Sequence, residues 1–367
     1  MSNSKQPSTP SKASIKPALN KECEELRKQF FAMKNPRDIA WLLEIPYQRL
    51  VYHIYQVPPE YKYLTFELNK KSGGTRIVSA PASALKLIQK KLNQVLQSAY
   101  QPKPSVHGFI YSKNIATNAK AHIRKRYVLN LDIKDFFPSI NFGRVRGMFI
   151  ALPYGFSPDV ATVLAQICCH NNQLPQGAPS SPIVSNMICA KLDSELQQLA
   201  KKLRCTYTRY ADDITFSTTM PKFPKELAYF ISIEEQHKLV LGNELLSIIK
   251  GNGFQVNEKK IRLQSKDEHQ EVTGVTVNQC TNVNRNYIRQ IRAMLHAWEK
   301  FGIESAEKEH RTKYHSKQKS PYKITPSFKQ VLRGKIEFIA IVKGKEDPIY
   351  QKLLNFYLTL NKGMSKN

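Results

Sequence analysis

The sequence predicts an α+β fold: a small antiparallel β-sheet packed by amphipathic helices, followed by a mostly helical C-terminal region. Three observations carry that expectation. Residues 207–217 read Tyr-Thr-Arg-Tyr-Ala-Asp-Asp-Ile-Thr-Phe-Ser, two runs rich in Thr, Tyr, Ile and Phe that meet at an Ala-Asp-Asp turn, as in a β-hairpin. Residues 127–133 form a nearly unbroken apolar run through Val128, Leu129, Leu131 and Ile133, the pattern of a strand buried on both faces. Between 182 and 203, Ile183, Met187, Ile188, Leu192, Leu196, Leu199 and Leu203 recur at helical spacing and define one buried stripe.

The remaining elements follow in order. Residues 1–20 carry Ser, Pro and Lys but no hydrophobic core of a signal peptide, and read as a flexible basic leader. Residues 21–55 look helical, with Leu26, Phe30, Met33, Ile39, Leu42 and Leu43 on apolar faces and interruptions at Pro36 and Pro46. The stretch 64–80 alternates enough for a hairpin around Ser72-Gly73-Gly74. A helix over 84–100 places Leu85, Ile88, Leu92, Val95 and Leu96 on one side. Strands at 127–133, 205–210 and 213–219 form the sheet, packed by helices near 158–170 and 182–203. Ser181 suits the cap of the second of these and Pro182 its first turn. Residues 285–362 have helical patterning around a charged insertion, and no repeat of 20 to 50 residues is visible.

Composition narrows the function classes. Lys plus Arg number 56 against 29 Asp plus Glu, a net charge of +27, which is the electrostatic footprint of a polyanionic partner. Solvating charge, or affinity for an anionic membrane surface, is the plainer alternative. No apolar run approaches the length of a membrane span, so the expectation is a cytoplasmic nucleic-acid binder with no membrane partner. The six cysteines show no Cys-x-x-Cys spacing and read as reduced thiols. Cys168-Cys169-His170 reads as core rather than as a zinc site.

Asp132 interrupts the apolar strand, and a carboxylate there costs several kcal/mol unless it is paired or bound to metal. It is therefore a ligand candidate, whereas Asp135, just before Phe136-Phe137-Pro138, fits better as the cap of a following helix. Asp212 and Asp213 are adjacent like charges that repel unless cations neutralise them. Oxygen-only carboxylate sites suit hard Mg²⁺. In a two-metal displacement, ions roughly 4 Å apart activate the attacking hydroxyl and stabilise the leaving pyrophosphate. Three carboxylates on adjacent strands can hold two Mg²⁺ ions for nucleotidyl transfer; an ordinary solvated Asp-Asp turn is the alternative.

Three further segments complete the pattern: Leu174-Pro175-Gln176-Gly177-Ala178-Pro179-Ser180-Ser181-Pro182, Asn118-Ala119-Lys120-Ala121-His122, and Val272-Thr273-Gly274. With these in order between about residues 60 and 345, the chain resembles a reverse transcriptase, and within that class the bacterial retron enzymes. The resemblance implies a right-hand polymerase with helical and hairpin fingers over 21–126. It implies an antiparallel β-sheet palm packed by helices over 127–284, with a fingers segment returning near 145–180, and a mostly helical thumb over 285–367. No ribonuclease H domain is expected. The implied activity is RNA-directed DNA polymerisation, with Asp132, Asp212 and Asp213 as catalytic residues and metal ligands. By the same resemblance, Arg76 clamps the nucleotide triphosphate, with Lys70 and Lys71 nearby. Phe137 lies against the sugar and selects deoxynucleotides, and Gln176 and Gly177 support the incoming nucleotide and template base. Lys260 sits near the leaving phosphates, with Lys259 as the alternative register.

Between 308 and 335 there are nine Lys or Arg and one acid, interleaved with Tyr314, Tyr322 and Phe328, a mixture that neutralises phosphates and stacks unpaired bases. Lys317, Lys319, Tyr322, Lys323 and Arg333 are the candidate RNA contacts there. Asn118 and His122, four apart, can meet on a helix face and either bind RNA or brace the fold. The resemblance further implies a cognate noncoding RNA as template and primer, with synthesis starting from the 2′-hydroxyl of a guanosine. Its substrates are dNTPs and its product is a branched RNA-DNA molecule, msDNA. An effector or toxin protein encoded alongside, a host ribonuclease H and a role in antiphage defence complete the implied setting. A group II intron or diversity-generating reverse transcriptase, or an RNA-binding scaffold restraining a toxin, stays open as an alternative; Val272-Thr273-Gly274 favours the retron type.

Overall fold

A computed structural model describes residues 18–69, 73–233, 236–315 and 326–363. The expected leader up to residue 17, together with Lys70 and Lys71, lies outside the described residues. In chain order the first elements are α1 (Cys23–Phe31), α2 (Pro36–Leu42) and α3 (Tyr47–Val51), which runs into one π-helical turn (Tyr52–Gln56). Next come α4 (Pro59–Lys62), the hairpin β1 (Tyr63–Asn69) and β2 (Thr75–Pro81), α5 (Ser83–Ala99) and α6 (Ile115–Lys120). Then β3 (Tyr127–Asp132), α7 (Phe142–Ile150), α8 (Pro158–Cys168), α9 (Ser181–Ile188) and α10 (Ala190–Lys202) lead to β4 (Thr206–Tyr210) and β5 (Asp213–Thr218). The antiparallel pair β6 (Ala228–Ile233) and β7 (Gln236–Leu241) precedes α11 (Asn243–Gly251), a 3-10 turn (Glu258–Lys260) and β8 (Arg262–Ser265). The short pair β9 (Glu271–Val272) and β10 (Val275–Thr276) is followed by α12 (Arg285–His315), broken at Gly302, then α13 (Phe328–Lys343) and α14 (Pro348–Gly363). The α+β expectation holds.

The chain divides into two compact units. The first comprises residues 1–103, 134–192 and 251–255. Pro36 opens α2 instead of interrupting a helix: Asn35 accepts from the Arg37 amide and shares a capping box with Asp38. Where α2 ends, the fully buried Lys91 of α5 donates to the Leu43 carbonyl at 2.9 Å, a cation set at the negative end of a helix. The expected stripe of α5, Leu85, Ile88, Leu92, Val95 and Leu96, is buried throughout. Strands β1 and β2 pair from Tyr63↔Pro81 to Asn69↔Thr75.

Two expectations for this unit need correction. Asp135 caps no helix; it takes a left-handed φ of 46° in a run of turns, and α7 begins later, capped by Asn141. The helix expected over 182–203 is two helices meeting at Cys189. Ser180 holds the cap position of α9 without a side-chain cap bond, and Ser181 instead donates its hydroxyl to the Pro175 carbonyl at 2.7 Å. The apolar stripe survives the break because Ile183, Met187, Leu192, Leu196 and Leu199 are all buried.

The second unit comprises residues 104–133, 193–250 and 256–367. Its sheet has the order β4-β5-β3-β8, all antiparallel. Central β3 buries Val128, Leu129 and Leu131, which explains its continuous apolar run. Strand β8 is the fourth member, and its Arg-Leu-Gln-Ser sequence has a single apolar residue and no alternation to mark it. Helices α12, α13 and α14 build one core from Leu295, Trp298, Leu332, Ile336, Ile339 and Leu353, and Ala119, Val128, Val272 and Val275 belong to the same cluster. Among the described residues, no helix is long and apolar enough to cross a membrane.

Asn118 and His122 lie at the end of α6 and in the turn after it, and both are fully buried. They therefore present no surface to RNA, and the bracing alternative is the one realised. His122 bridges Ser217 Oγ at 2.6 Å and Thr208 Oγ1 at 2.8 Å, tying β5 to β4. Asn118 Nδ2 reaches Thr273 Oγ1 at 3.5 Å, so the two short segments singled out in the sequence meet.

Burial and the nearby Lys125 lower the His122 pKa to about 3, against about 6.5 in an unfolded chain. Below pH 6.5 the unfolded state takes up a proton that the folded state refuses until near pH 3, so stability is lost as pH falls across that window. The slope from this one group is about 1.4 kcal/mol per pH unit. Urea denaturation at pH 7 and pH 5 is expected to show that loss in the native chain. His122→Asn should be less stable at pH 7 and have a shallower slope; an unchanged slope would remove His122 as the cause.

Candidate active site

The site is built where β3 ends and β5 begins. Asp132 is the last residue of β3 and lies opposite Asp213, the first residue of β5, in antiparallel register. Asp213 thus belongs to the strand, and the turn itself is Ala211 and Asp212. Ala211 takes a left-handed φ of 56°, which an L-residue with a β-carbon disfavours. Three backbone hydrogen bonds fix the residues on either side of it. The Ile133 amide donates to the Asp212 carbonyl at 2.9 Å, the Arg209 amide donates to Ser105 at 2.9 Å, and the His107 amide donates to Arg209 at 2.8 Å. Gly108 backs the turn so closely that a β-carbon there would sit 2.4 Å from the Ala211 nitrogen.

Asp132 is buried, with 7% exposure, and both its oxygens are engaged. Lys260 Nζ donates to Oδ2 at 2.7 Å and Asn257 Nδ2 to Oδ1 at 3.2 Å. The Asn257 amide also donates to the Asp132 carbonyl at 2.8 Å, so Asn257 grips this residue twice. Lys260, not Lys259, makes the pair. The Lys260 ammonium is raised in pKa, first by its hydrogen bond to Asp132 and then by the charges of Asp132, Asp212 and Asp213, against the cost of burial.

Asp213 carries the electrostatic strain. Burial pushes its carboxyl up to about 7, Asp212 and Asp132 push in the same direction, and Lys260 and Arg262 pull it down. Near neutral pH Asp213 therefore keeps its proton part of the time unless positive charge is added nearby. The donors are oxygens and the deficit is cationic, so the residues fit a hard divalent cation in ligand type and in charge. They do not form a ready-made cage: among the described residues no three His, Cys, Asp or Glu side chains group to hold an ion. Asp132 instead faces the Lys260 ammonium and the Asn257 amide.

Below the turn lies a fully buried ion pair that sequence reading missed. Arg209 Nε and Nη2 donate to the two oxygens of Asp193, each at 2.7 Å, and Tyr207 Oη donates to Asp193 Oδ1 at 2.7 Å. Arg209 Nη1 donates to the Ala211 carbonyl at 3.1 Å. The sequence held a hint, since Asp193 stands beside Leu192 in the apolar stripe, where an unpaired acid is costly.

The other candidates are placed as follows. Arg76 is exposed on β2, opposite Leu68. The Gln176 carbonyl accepts from the Ser79 amide at 2.8 Å, and Gly177, at φ 114°, lies where a β-carbon would come within 3.0 Å of the Ser79 carbonyl. Phe137 is half-buried, its ring 5.3 Å from that of Phe136. These four belong to the first unit, while the aspartates and Lys260 belong to the second. Arg333 pairs with Glu337 one helical turn away and lies 5.7 Å over the Tyr357 ring. Lys317, Lys319, Tyr322 and Lys323 lie outside the described residues.

Comparison with known proteins adds an independent finding. Residues 68–277 match the family described as reverse transcriptase (RNA-dependent DNA polymerase). The Retron Ec86 reverse transcriptase of Escherichia coli is 31% identical over 337 residues, covering 91% of this chain and 92% of that protein. The Retron Mx65 reverse transcriptase of Myxococcus xanthus is 38% identical over 256 residues, 64% of this chain; the match spans only 55% of that relative's length. Among solved structures, a Candida albicans telomerase in complex with a fragment of telomeric RNA aligns with a TM-score of 0.43 and 10% identity, over 81% of this chain and 63% of that chain.

The closeness of Gly108 to the turn is open to a direct test. Gly108→Ala places a methyl group against backbone atoms of Tyr210 and Ala211 that cannot rotate away, and overpacking of this kind costs about 1–3 kcal/mol. Chemical denaturation is expected to show that loss. A variant as stable as the native chain would mean that the turn shifts freely.

Proposed function

The chain belongs to the reverse transcriptases, and within them to the retron type, and from that premise we propose that it copies a structured noncoding RNA into DNA at the Asp132, Asp212 and Asp213 site. The observation that carries this reading is the register of Asp132 opposite Asp213, beside Asp212, with the Asp213 carboxyl pushed up to about 7. Reverse transcriptases generally use divalent metal, and a divalent cation would add to Lys260 and Arg262 in offsetting the clustered negative charge.

In this reading Asp132, Asp212 and Asp213 hold Mg²⁺, the cation that oxygen-only donors favour. When bound, the metal supplies activation of the attacking 3′-hydroxyl and neutralises the leaving pyrophosphate. The chain's own side chains do the rest. Lys260 offers its ammonium to the leaving phosphates, and Asn257 keeps the Asp132 carboxylate oriented through Oδ1. Arg76 binds the triphosphate of the incoming dNTP, a task that suits the guanidinium fork. Gln176 and Gly177 support the nucleotide and its template base. The Phe137 ring excludes a ribose 2′-hydroxyl and so selects deoxynucleotides.

Residues 21–126 serve as fingers, 127–284 as palm and 285–367 as thumb, and the basic stretch around Lys317, Lys319, Tyr322, Lys323 and Arg333 grips the RNA. The noncoding RNA acts as template and primer, through a guanosine 2′-hydroxyl, and the product is branched msDNA. The wider setting is antiphage defence, with an effector protein encoded alongside and a host ribonuclease H that removes template. The +27 net charge supports a polyanionic partner.

Nucleic acid copurified from cells tests the reading. The native chain is expected to yield DNA covalently attached to RNA, whereas Asp212→Asn or Asp213→Asn should yield the RNA alone, with DNA synthesis abolished and RNA affinity nearly intact. Undiminished extension by either variant refutes the assignment. Phe137→Ala is expected to admit ribonucleotides, read from relative incorporation of the two sugar types; unchanged discrimination assigns Phe137 to packing.

A further inference from the structure

Arg209 and Asp193 are fully buried and shielded from solvent. Two charges removed from water carry a desolvation penalty, and apolar residues of similar size often fold equally well or better in their place. Stability alone therefore gives a weak reason for the pair. Its geometry gives a stronger one. Two nitrogens of the guanidinium are committed to Asp193, which locks the plane of the fork, and the third donates to the Ala211 carbonyl at 3.1 Å.

Ala211 is the residue that needs holding. It sits in the left-handed region, one residue before Asp212 and two before Asp213. Gly108 closes the amide side of the turn, and the Ile133 amide anchors the Asp212 carbonyl. The carbonyl of Ala211 is held by a side chain, and only a planar donor set can grip a carboxylate with two nitrogens while aiming a third elsewhere.

We infer that Asp193 and Arg209 are positioning residues: a buried fork that sets the direction of the Ala211 carbonyl and thereby the seat of Asp212 and Asp213 for cation binding. This rests on the polymerase reading above. Neither residue touches substrate; both act through the backbone of the turn.

The experiment uses the full chain with its copurified RNA and reads four quantities: melting temperature, RNA affinity, Mn²⁺ binding by calorimetry, and kcat and KM for dNTP. The central variant is the double replacement Asp193→Leu with Arg209→Met, which keeps the buried volume apolar. It is expected to keep its melting temperature within a few degrees of native and to keep its RNA affinity. Mn²⁺ binding should weaken about tenfold and kcat fall about 100-fold, the scale of an ångström-level misplacement of reacting groups, with KM for dNTP little changed. Tyr207→Phe removes a different hydrogen bond to Asp193 and leaves the fork in place, so it should leave Mn²⁺ binding unaltered.

Native-like Mn²⁺ binding and kcat in the folded double variant overturn the inference. So does an equal loss in Tyr207→Phe, which would mark general loosening of the core. Should the double variant not fold, Arg209→Lys decides: it keeps a cation opposite Asp193 but not the planar fork, and native-like Mn²⁺ binding in that variant overturns the inference. Failure of the underlying reading looks different, because then the native chain itself shows no Mn²⁺ binding that Asp213→Asn removes.

Discussion

Repulsion among Asp132, Asp212 and Asp213 is the constraint on which the rest of the second unit depends. Antiparallel pairing forces Asp132 and Asp213 to face each other, and the adjacent Asp212 adds a third negative group. Burial is the largest cause that raises the Asp213 carboxyl to about 7, and the charges of Asp212 and Asp132 push in the same direction. The turn is held from several sides: Lys260 and Asn257 on Asp132, the Ile133 amide on Asp212, Gly108 behind Ala211, and the Arg209 fork beneath it. Each holds a backbone or carboxylate atom whose free position would relieve the repulsion. A cation relieves the same repulsion without moving the strands, and for that reason the strain points to function.

Rigidity of this kind has to be rooted in packing. Central β3 contributes Val128 to the same core as Trp298, Leu332 and Ile339 of the C-terminal helices, so the strand that presents Asp132 is fixed by residues far along the chain. His122 adds a polar tie across the sheet, joining hydroxyls on β4 and β5. Its neutrality matters, since a neutral ring donates through one nitrogen and accepts through the other. Asn118 and Thr273 meet behind it. The two segments around Asn118 and Thr273, singled out in the sequence, thus form part of the frame of the second unit.

The first unit meets a different demand, that of presenting loops from short helices. Asn35 and Asn141 cap helices whose starts would otherwise leave amides unpaired. Buried Lys91 satisfies carbonyls where α2 ends. Gly177 lies against β2 at a distance that excludes a side chain, so the Gln176-Gly177 segment and the strand bearing Arg76 are built as one piece within this unit.

By itself the sequence determined the elements whose signals are local. The apolar run of β3, the hairpin at Ala211-Asp212, the stripe of α5 and the identity of the three aspartates as chemically costly groups were all legible, because periodicity and the price of burying charge act over a few residues. Tertiary structure decided what depends on distant partners. Strand β8 lacks alternation and exists as a strand because β3 offers it an edge. Lys260 was separated from Lys259 only by which ammonium reaches Asp132 across 128 residues of chain. Asn118 and His122, polar enough to suggest a surface, lie inside, where Ser217 and Thr208 bond the His122 ring and Thr273 reaches the Asn118 amide. The Arg209–Asp193 fork is the clearest case: each residue looks ordinary in its own segment, and only the folded chain brings them together beneath the turn they hold.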